Sequence, residues 1–530
     1  AGAPTPLPGR HDVLLRRLHT VGVVAVILML ALRFVHLDAD FPIEQESRFA
    51  RDGVLFSDEG WYANNAIAFM RHDSWYNVHD MNFALALPVN QLVHVFFFSL
   101  LGVTIEAARL SSVLPFIGVV GLVWALVRRF HGKWPALLAA WVLSSNFFLF
   151  AYSRFAIAEM LMLFLVFLAL WMASRASGPR AWAWTFGAAL ASLLALLTKT
   201  TALPGAGLVV LVLLAAGWNE KGRWARPVVA GLLFGAPWLA HKVVIARLYP
   251  EDIAFFQTIN VGMHLETNAW VWLETIGRTF RRIRDVDKIT HYVFRFGLVP
   301  LVLLLPTARR SPILLGSLLF IAGYAAMFGF YRNIQPRYWI PYLPFVAMIM
   351  AVSVKALWDA RGRHKLLKHA WAVLLAMFLV SSVDQVVQVA KCQLEPQYTF
   401  RDAARDIDLL IRAETDEERP VVLGHIAHTF SLYIDIHPVN DLYAPAPLVK
   451  RLDHYQPRWL ITEDTVEVRR PWIVQEAVMK DPRDSVQRYK DLTARYKIDH
   501  LAEYSVLDEY DDYPLHFYRL VPLEEAAVEP

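Results

Sequence analysis

Residues 53–80 read GVLFSDEGWYANNAIAFMRHDSWYNVHD. The stretch follows an apolar run at 20–36 that is able to cross a membrane. It opens with two adjacent acids, Asp58 and Glu59, followed by Trp61, Tyr62, Asn64 and Asn65. What carboxylates and amphipathic aromatics do so close to a first span depends on the side of the membrane they face. That is a question for the whole chain.

The chain has 530 residues, of which 56% are hydrophobic and 13% aromatic, with a mean hydropathy of +0.36. This excludes an ordinary soluble enzyme, since a span takes roughly 20 apolar residues. The net charge of +4 is small, and no basic tract interleaved with aromatics points to nucleic acid. A single cysteine, Cys392, excludes an intramolecular disulfide framework and a cysteine-based zinc site. No small-residue cleavage site follows the first apolar run, so no cleavable signal peptide is expected. The opening AGAPTPLPGR reads as a disordered tail or an expression remnant.

Hydropathy predicts spans at 20–36, 107–127, 134–152, 159–174, 181–198, 203–218, 227–245, 294–308, 312–331, 338–355 and 371–390. The linkers after every second span are short and basic, such as RRFHGKW at 128–134 and NEKGRWARP at 219–227. By the positive-inside rule these are cytoplasmic, so the first loop (about 37–106) and the C-terminal part face outward. The expected fold is a polytopic α-helical membrane protein of about 11–13 spans. A further apolar run at 85–103 breaks the alternation if it spans, and it is read as re-entrant or surface-lying. After Cys392 the texture changes: VVLGHIAHTFSLYIDIHPVND and QPRWLITEDTVEV read as short strands between charged helices. The chain thus divides into a membrane module, 1–391, and a small extracytoplasmic α/β domain, 392–530.

Cations stand where the rule disfavours them. Arg154 and Lys199 fall at outer span ends, Lys242 near one, and Arg332 and Arg337 flank YRNIQPRYW. Each alone could snorkel to the headgroups, but together they describe a pocket for an anionic lipid headgroup, most simply a phosphate. Opposite them, Ser57 with Asp58 and Glu59 makes a helix start that places Asp58, Tyr62 and Asn65 on one face. Glu159 opens the span 159–174. Each of these acids has a plainer role in complementing a helix dipole. Trp61, Tyr62 and Asn65 are candidate sugar or acceptor contacts, with interfacial anchoring the plainer role for the two aromatics. No metal site is read. His264 is a lone histidine, and a divalent cation is left open as an assistant.

Six segments in order resemble one family: SDEGWYANNA, ARLSSVLPFIGVVGLVWALVRRFHG, SRFAIAEMLMLF, LLALLTKTTAL, GAPWLAHKV and QPRYWIPYLP. Over residues 20–360 the chain resembles the C-type (GT-C) lipid-phosphate-sugar glycosyltransferases. Within them it is most similar to the bacterial branch related to protein O-mannosyltransferases and lipid A aminoarabinose transferase. The resemblance implies that Asp58, in the Asp58–Glu59 pair, is the catalytic base and Glu159 the acid of the second outer loop, with Glu59 a further catalytic candidate. It also implies that Arg154, Lys199, Arg337 and Tyr338 hold the donor phosphate. The chain departs from the family in NFALALPVN, where only Pro88 stands for a basic residue and two prolines, and in Gly60, where some relatives carry arginine.

The expected function is inverting transfer of a sugar from a polyprenyl-phosphate donor to a lipid, glycan or protein acceptor. The expected place is the periplasmic face of a bacterial inner membrane. A lipid-linked-sugar flippase and a non-catalytic envelope assembly protein are the alternatives. Neither internal repeats nor broken symmetry-related helices, the usual marks of a transporter, are visible in the sequence.

Overall fold

The structure, a computed structural model, describes residues 10–40, 58–220, 222–257, 270, 273–274, 311–328, 336–360, 365–442, 444–462, 483–506 and 514–526. Ser57, His264, Arg332 and the expected span 294–308 lie outside the described residues.

The membrane module begins with α1 (Arg10–Ala31). Its loop carries α2 (Asp58–His72), α3 (Phe83–Ala86) and α4 (Pro88–Leu101). There follow α5 (Ile105–His131), the pair α6 (Lys133–Ser145) and α7 (Phe147–Ser153), α8 (Ala158–Ser174), α9 (Ala181–Thr198), α10 (Leu203–Ala216), α11 (Ala225–Leu248) and α12 (Pro250–Gln257). Beyond these come α13 (Pro312–Phe328), α14 (Tyr342–Ala360) and α15 (Lys365–Leu394).

Six helical stretches among the described residues are long and apolar enough to cross a membrane, and the bent pair α6–α7 makes a seventh. Ala158–Ser174, Thr200–Ala216 and Pro312–Met327 are apolar but shorter, and they fall on three more of the expected spans. The run at 85–103 becomes α4, whose 14 residues measure only about 21 Å against a hydrocarbon core of about 30 Å. Its polar side, Asn90, Gln91 and His94, is buried, while Leu92, Phe96 and Leu100 are exposed. Exposed apolar rows also run along α1 (Val21, Val24, Ile27, Leu28) and α15 (Val380, Val383, Val387). Such rows suit lipid, which is as apolar as leucine. Contact between helices is therefore left to small residues that let backbones approach. Ala136, Ala139 and Ala140 on α6, and Ala188, Ser192 and Ala195 on α9, are the buried small residues of this kind.

The expected span 134–152 is not one helix. It bends by 63° between α6 and α7, at the polar triplet Ser144–Ser145–Asn146. A break in lipid exposes backbone groups that must find partners inside the protein. Asn146 caps α7 by accepting from the Leu149 amide at 2.9 Å, and Gln385 of α15 accepts from the Phe147 amide at 2.7 Å. Arg33, fully buried, donates to the Ser144 carbonyl at 3.1 Å and to Ser153 Oγ at 3.0 Å.

After α15 the chain forms α16 (Thr399–Glu414) and a mixed five-stranded sheet of order β2-β1-β3-β5-β4. The strands are β1 (Val421–Leu423), β2 (His437–Val439), β3 (Trp459–Thr462), β4 (Tyr496–Ser505) and β5 (Pro514–Pro522). Strands β2, β1 and β3 are parallel, whereas β3-β5-β4 is antiparallel. Helix α16 turns Phe400, Ala403, Ala404, Ile407 and Ile411 inward, the stripe a half-buried helix needs. A single turn, α17 (Ala427–Phe430), lies against α2.

This unit is docked, not merely tethered. Asp40 accepts from the Thr399 amide and hydroxyl, each at 2.6 Å. Trp61 Nε1 donates to the His425 carbonyl at 2.8 Å, and the Asn440 amide donates to Asp80 at 2.9 Å.

Candidate active site

Helix α2 presents its two leading acids to different partners. Successive residues on a helix point about 100° apart, so Asp58 and Glu59 cannot share a neighbour. Arg109 of α5 takes both oxygens of Glu59, Nε to Oε1 at 2.9 Å and Nη2 to Oε2 at 2.7 Å. The Ala156 amide adds a third bond to Glu59 at 2.9 Å. Arg109 also donates to the carbonyls of Leu37 and Ala39 at 2.7 and 2.5 Å. The Glu59–Arg109 pair thus joins α2, α5, the first loop and the α7–α8 turn, and both Glu59 oxygens are engaged.

Asp58 turns the other way and forms a buried ion pair with Arg337. Arg337 lies in a short 3-10 turn, Pro336–Trp339, ahead of α14. Its guanidinium stands 5.6 Å from the Tyr338 ring centroid. The Lys199 ammonium, at the C-terminal end of α9, stands 5.9 Å from the same ring. Lys199 donates to Glu159 Oε1 at 2.5 Å and to the Tyr62 hydroxyl at 3.0 Å. Six of the sequence candidates therefore meet in one place: Asp58, Tyr62, Glu159, Lys199, Arg337 and Tyr338. Four separate stretches of chain supply them.

The charges in this cluster balance, two carboxylates against two cations. Its hydrogen-bonding capacity is not used up. An ammonium has three protons, and Lys199 directs two of them to Glu159 and Tyr62. Glu159 Oε2 is buried with no hydrogen-bond partner among the described residues. Buried polar atoms are nearly always satisfied, so an orphan of this kind marks a place for something polar.

The other candidates are placed elsewhere. Arg154, in the α7–α8 turn, donates to the carbonyls of Val35 and His36 and lies 5.1 Å from the Phe150 ring. It is not brought together with Lys199 and Arg337. Asn65 holds the loop after α2: its Nδ2 donates to the Trp75 carbonyl and to Asn82 Oδ1, both at 3.0 Å, and its Oδ1 accepts from the Ala84 amide at 2.9 Å. Asn64 binds the same loop through the Met81 carbonyl at 2.8 Å. Trp61 bonds the C-terminal unit. Gly60 has a related reason: a Cβ there would fall 2.1 Å from the His428 carbonyl carbon and 2.2 Å from the Thr429 nitrogen. Only glycine lets α2 approach α17 so closely.

Sequence reading missed Arg109, Arg33 and Asp80. A signal existed for the first, an arginine inside the apolar run EAARLSSV, where a cation has to find an anion. Asp252 was missed with less warning. It accepts from the Tyr76 hydroxyl and from Asn82 Nδ2, both at 3.0 Å, and so ties α12 to the first loop.

Residues 87–241 match the dolichyl-phosphate-mannose-protein mannosyltransferase family. No curated sequence matches the chain. Among solved structures, ArnT from Cupriavidus metallidurans bound to undecaprenyl phosphate is similar at a TM-score of 0.58 and 15% identity, over 94% of this chain and 97% of that one. Its apo form gives 0.60 and 16%, over 94% and 98%. The oligosaccharyltransferase AglB from Archaeoglobus fulgidus, in complex with an inhibitory peptide and a dolichol-phosphate, gives 0.52 and 13%, over 85% of this chain and 70% of that one. At these identities the likeness is one of fold. With the motifs and the matched segment, it establishes that the chain is a multi-pass membrane protein with the GT-C fold of the lipid-phosphate-sugar glycosyltransferases.

Proposed function

We propose that the chain transfers a sugar from a polyprenyl-phosphate donor to an acceptor at the periplasmic face of a bacterial inner membrane. The observation that carries this is the buried Lys199–Glu159 couple, with its unsatisfied carboxylate oxygen, set beside the Asp58–Arg337 pair. Lys199 and Arg337 would receive the donor phosphate, with Tyr338 beside both. A guanidinium can hold two phosphate oxygens at once, while the ammonium acts as a point charge. Support for the donor class comes from ArnT and AglB, which were solved with undecaprenyl phosphate and dolichol-phosphate.

Asp58 and Arg337 act in sequence in this reading. With no donor present, Arg337 holds the Asp58 carboxylate in an ion pair. A donor phosphate that draws Arg337 away frees the carboxylate to accept a proton next to the reacting carbon. The acceptor hydroxyl then gives its proton to Asp58, and its oxygen bonds the anomeric carbon. The carbon–oxygen bond to phosphate breaks, and the electron pair leaves with the phosphate. Attack opposite the leaving group inverts the centre. Cations fixed beside the leaving oxygen in a dry site stabilise charge that grows in the transition state. The C-terminal unit packs on α2 through α17 and would meet the acceptor.

The test uses the full chain in lipid nanodiscs with a panel of polyprenyl-phosphate sugars. Asp58→Asn is expected to lower turnover by about 10²–10⁴-fold, the range of general-base catalysis, with donor affinity retained. Lys199→Ala is expected to weaken donor binding, whereas Arg154→Ala lowers stability and leaves the affinity of the folded fraction alone. Near-normal turnover in Asp58→Asn would remove it from the chemistry. Movement of the lipid-linked sugar between leaflets without transfer would favour the flippase.

A further inference from the structure

The hairpin β4–β5 carries a second cluster, independent of the transfer site. Its register runs Asp499 against Arg519 and His500 against Tyr518, then slips, so that Ala502 faces Phe517 and Glu503 faces His516. In an unbroken strand, residues three apart point to opposite faces. The extra residue at the slip resets the alternation. His500 and Glu503 are thereby placed on one face, opposite Tyr518 and His516, which are two apart on β5. Without the bulge these side chains would not meet.

We propose that His500, Glu503 and His516 bind a divalent transition-metal ion, zinc by ligand type. Their ligand atoms all lie within 4.8 Å of one another. His516 Nδ1 stands 3.6 Å from Glu503 Oε2, and the two imidazole rings are 5.6 Å apart between centroids. Ligands bonded at about 2.0–2.2 Å in a tetrahedron stand roughly 3.4 Å from one another, so the set must close by a little over an ångström. The chemistry allows it: His516 is buried and fixes the position, while His500 and Glu503 are exposed and can change rotamer without repacking a core. Two imidazoles with one carboxylate select zinc, copper or nickel over magnesium and calcium, which prefer oxygen. Three protein ligands leave a fourth position to water. The ion would clasp β4 to β5 across the bulge.

The experiment takes the full chain in detergent, stripped of metal with EDTA. It titrates Zn²⁺ by calorimetry and Co²⁺ by visible absorption. The expected result is saturable binding, with one equivalent lost in His500→Ala and again in Glu503→Gln, and the Co²⁺ ligand-field bands weakened in both. His516→Ala is expected to do the same, but it opens a buried position, so the two exposed variants decide. Their metal-free melting temperatures should equal that of the parent chain, while the rise that Zn²⁺ produces in the parent shrinks. Unchanged stoichiometry and affinity in His500→Ala and Glu503→Gln, or no saturable binding by the parent chain, overturns the proposal.

Discussion

Arg109 reaches Glu59 with two parallel bonds, and both side chains are almost wholly removed from solvent. Removing one partner of such a pair leaves an uncompensated buried charge, at a cost of about 3–5 kcal/mol. Arg109→Ala is therefore expected to lower the melting temperature and the yield of folded protein sharply. Replacing both residues by apolar ones of similar volume should restore much of the loss. A melting temperature unchanged in Arg109→Ala would mean that the pair is no part of the scaffold. Asp58, one residue earlier, pairs with Arg337 instead, and the isosteric Asp58→Asn, which keeps the side chain's shape, should show in turnover. Adjacent acids can differ this much because each residue along a helix turns by about 100°. Their neighbours are then set by how α2 is rolled against the bundle, which nothing local to SDEGWY records.

Packing of elements explains the glycine in that motif. Alanine at position 60 would gain about 1 kcal/mol of helix propensity in isolation. Here its Cβ would meet backbone of α17 at 2.1–2.3 Å, and backbone cannot rotate aside as a side chain can. Gly60→Ala is expected to push the C-terminal unit off α2 and break the Trp61–His425 bond. Limited proteolysis should then cut the 395–399 connection faster than in the parent chain. Equal protection would show that the contact gives way without undocking. At the same scale, the break between α6 and α7 is held by groups distant in sequence, Arg33 and Gln385. The triplet Ser144–Ser145–Asn146 hinted at it, but hydropathy averaged the hint away.

The docked faces of the whole molecule carry buried titratable groups. Burial, partly opposed by Arg451 and by the Asn440 and Met81 amides, pushes the Asp80 carboxyl up to about 6. Burial pulls His428 down to about 3, and burial with His72 beside it pulls His437 to about 4. His437 Nδ1 lies 2.9 Å from His72 Nε2, so one ring must donate while the other accepts. A histidine whose folded value is depressed contributes stability above its ordinary value near 6.5 and loses it as the pH falls toward the folded value. Asp80 works the other way, adding stability as the pH falls from about 6 toward 3.8. Two histidines outweigh one acid, so docking should weaken between about pH 6.5 and 4. Melting curves across that window should show a fall that becomes shallower in His437→Gln. A flat profile in the parent chain would sink the argument.

Hydropathy, charge bias and periodicity are local properties, and they carried the reading of this chain a long way. Ten of the eleven expected spans coincide with helices or bent helix pairs among the described residues, and the short strands after Cys392 belong to one sheet. Asp58, Glu159, Lys199 and Arg337 were legible because ionised groups at span ends demand a partner whatever the fold; Tyr62 came from its shared helix face and Tyr338 only from the family resemblance. What the sequence could not rank was which acid meets which cation. Arg154 and Lys199 look alike from hydropathy, yet one is held by the carbonyls of Val35 and His36 and the other faces Glu159 and Tyr62. Pairing of that kind depends on helix roll and on contacts between residues 40 or more positions apart. The bulge that gathers His500, Glu503 and His516 is of the same sort, since a one-residue slip in register reverses every side chain beyond it. Local chemistry determined where polar groups are needed; only the packed bundle and sheet decided which of them touch.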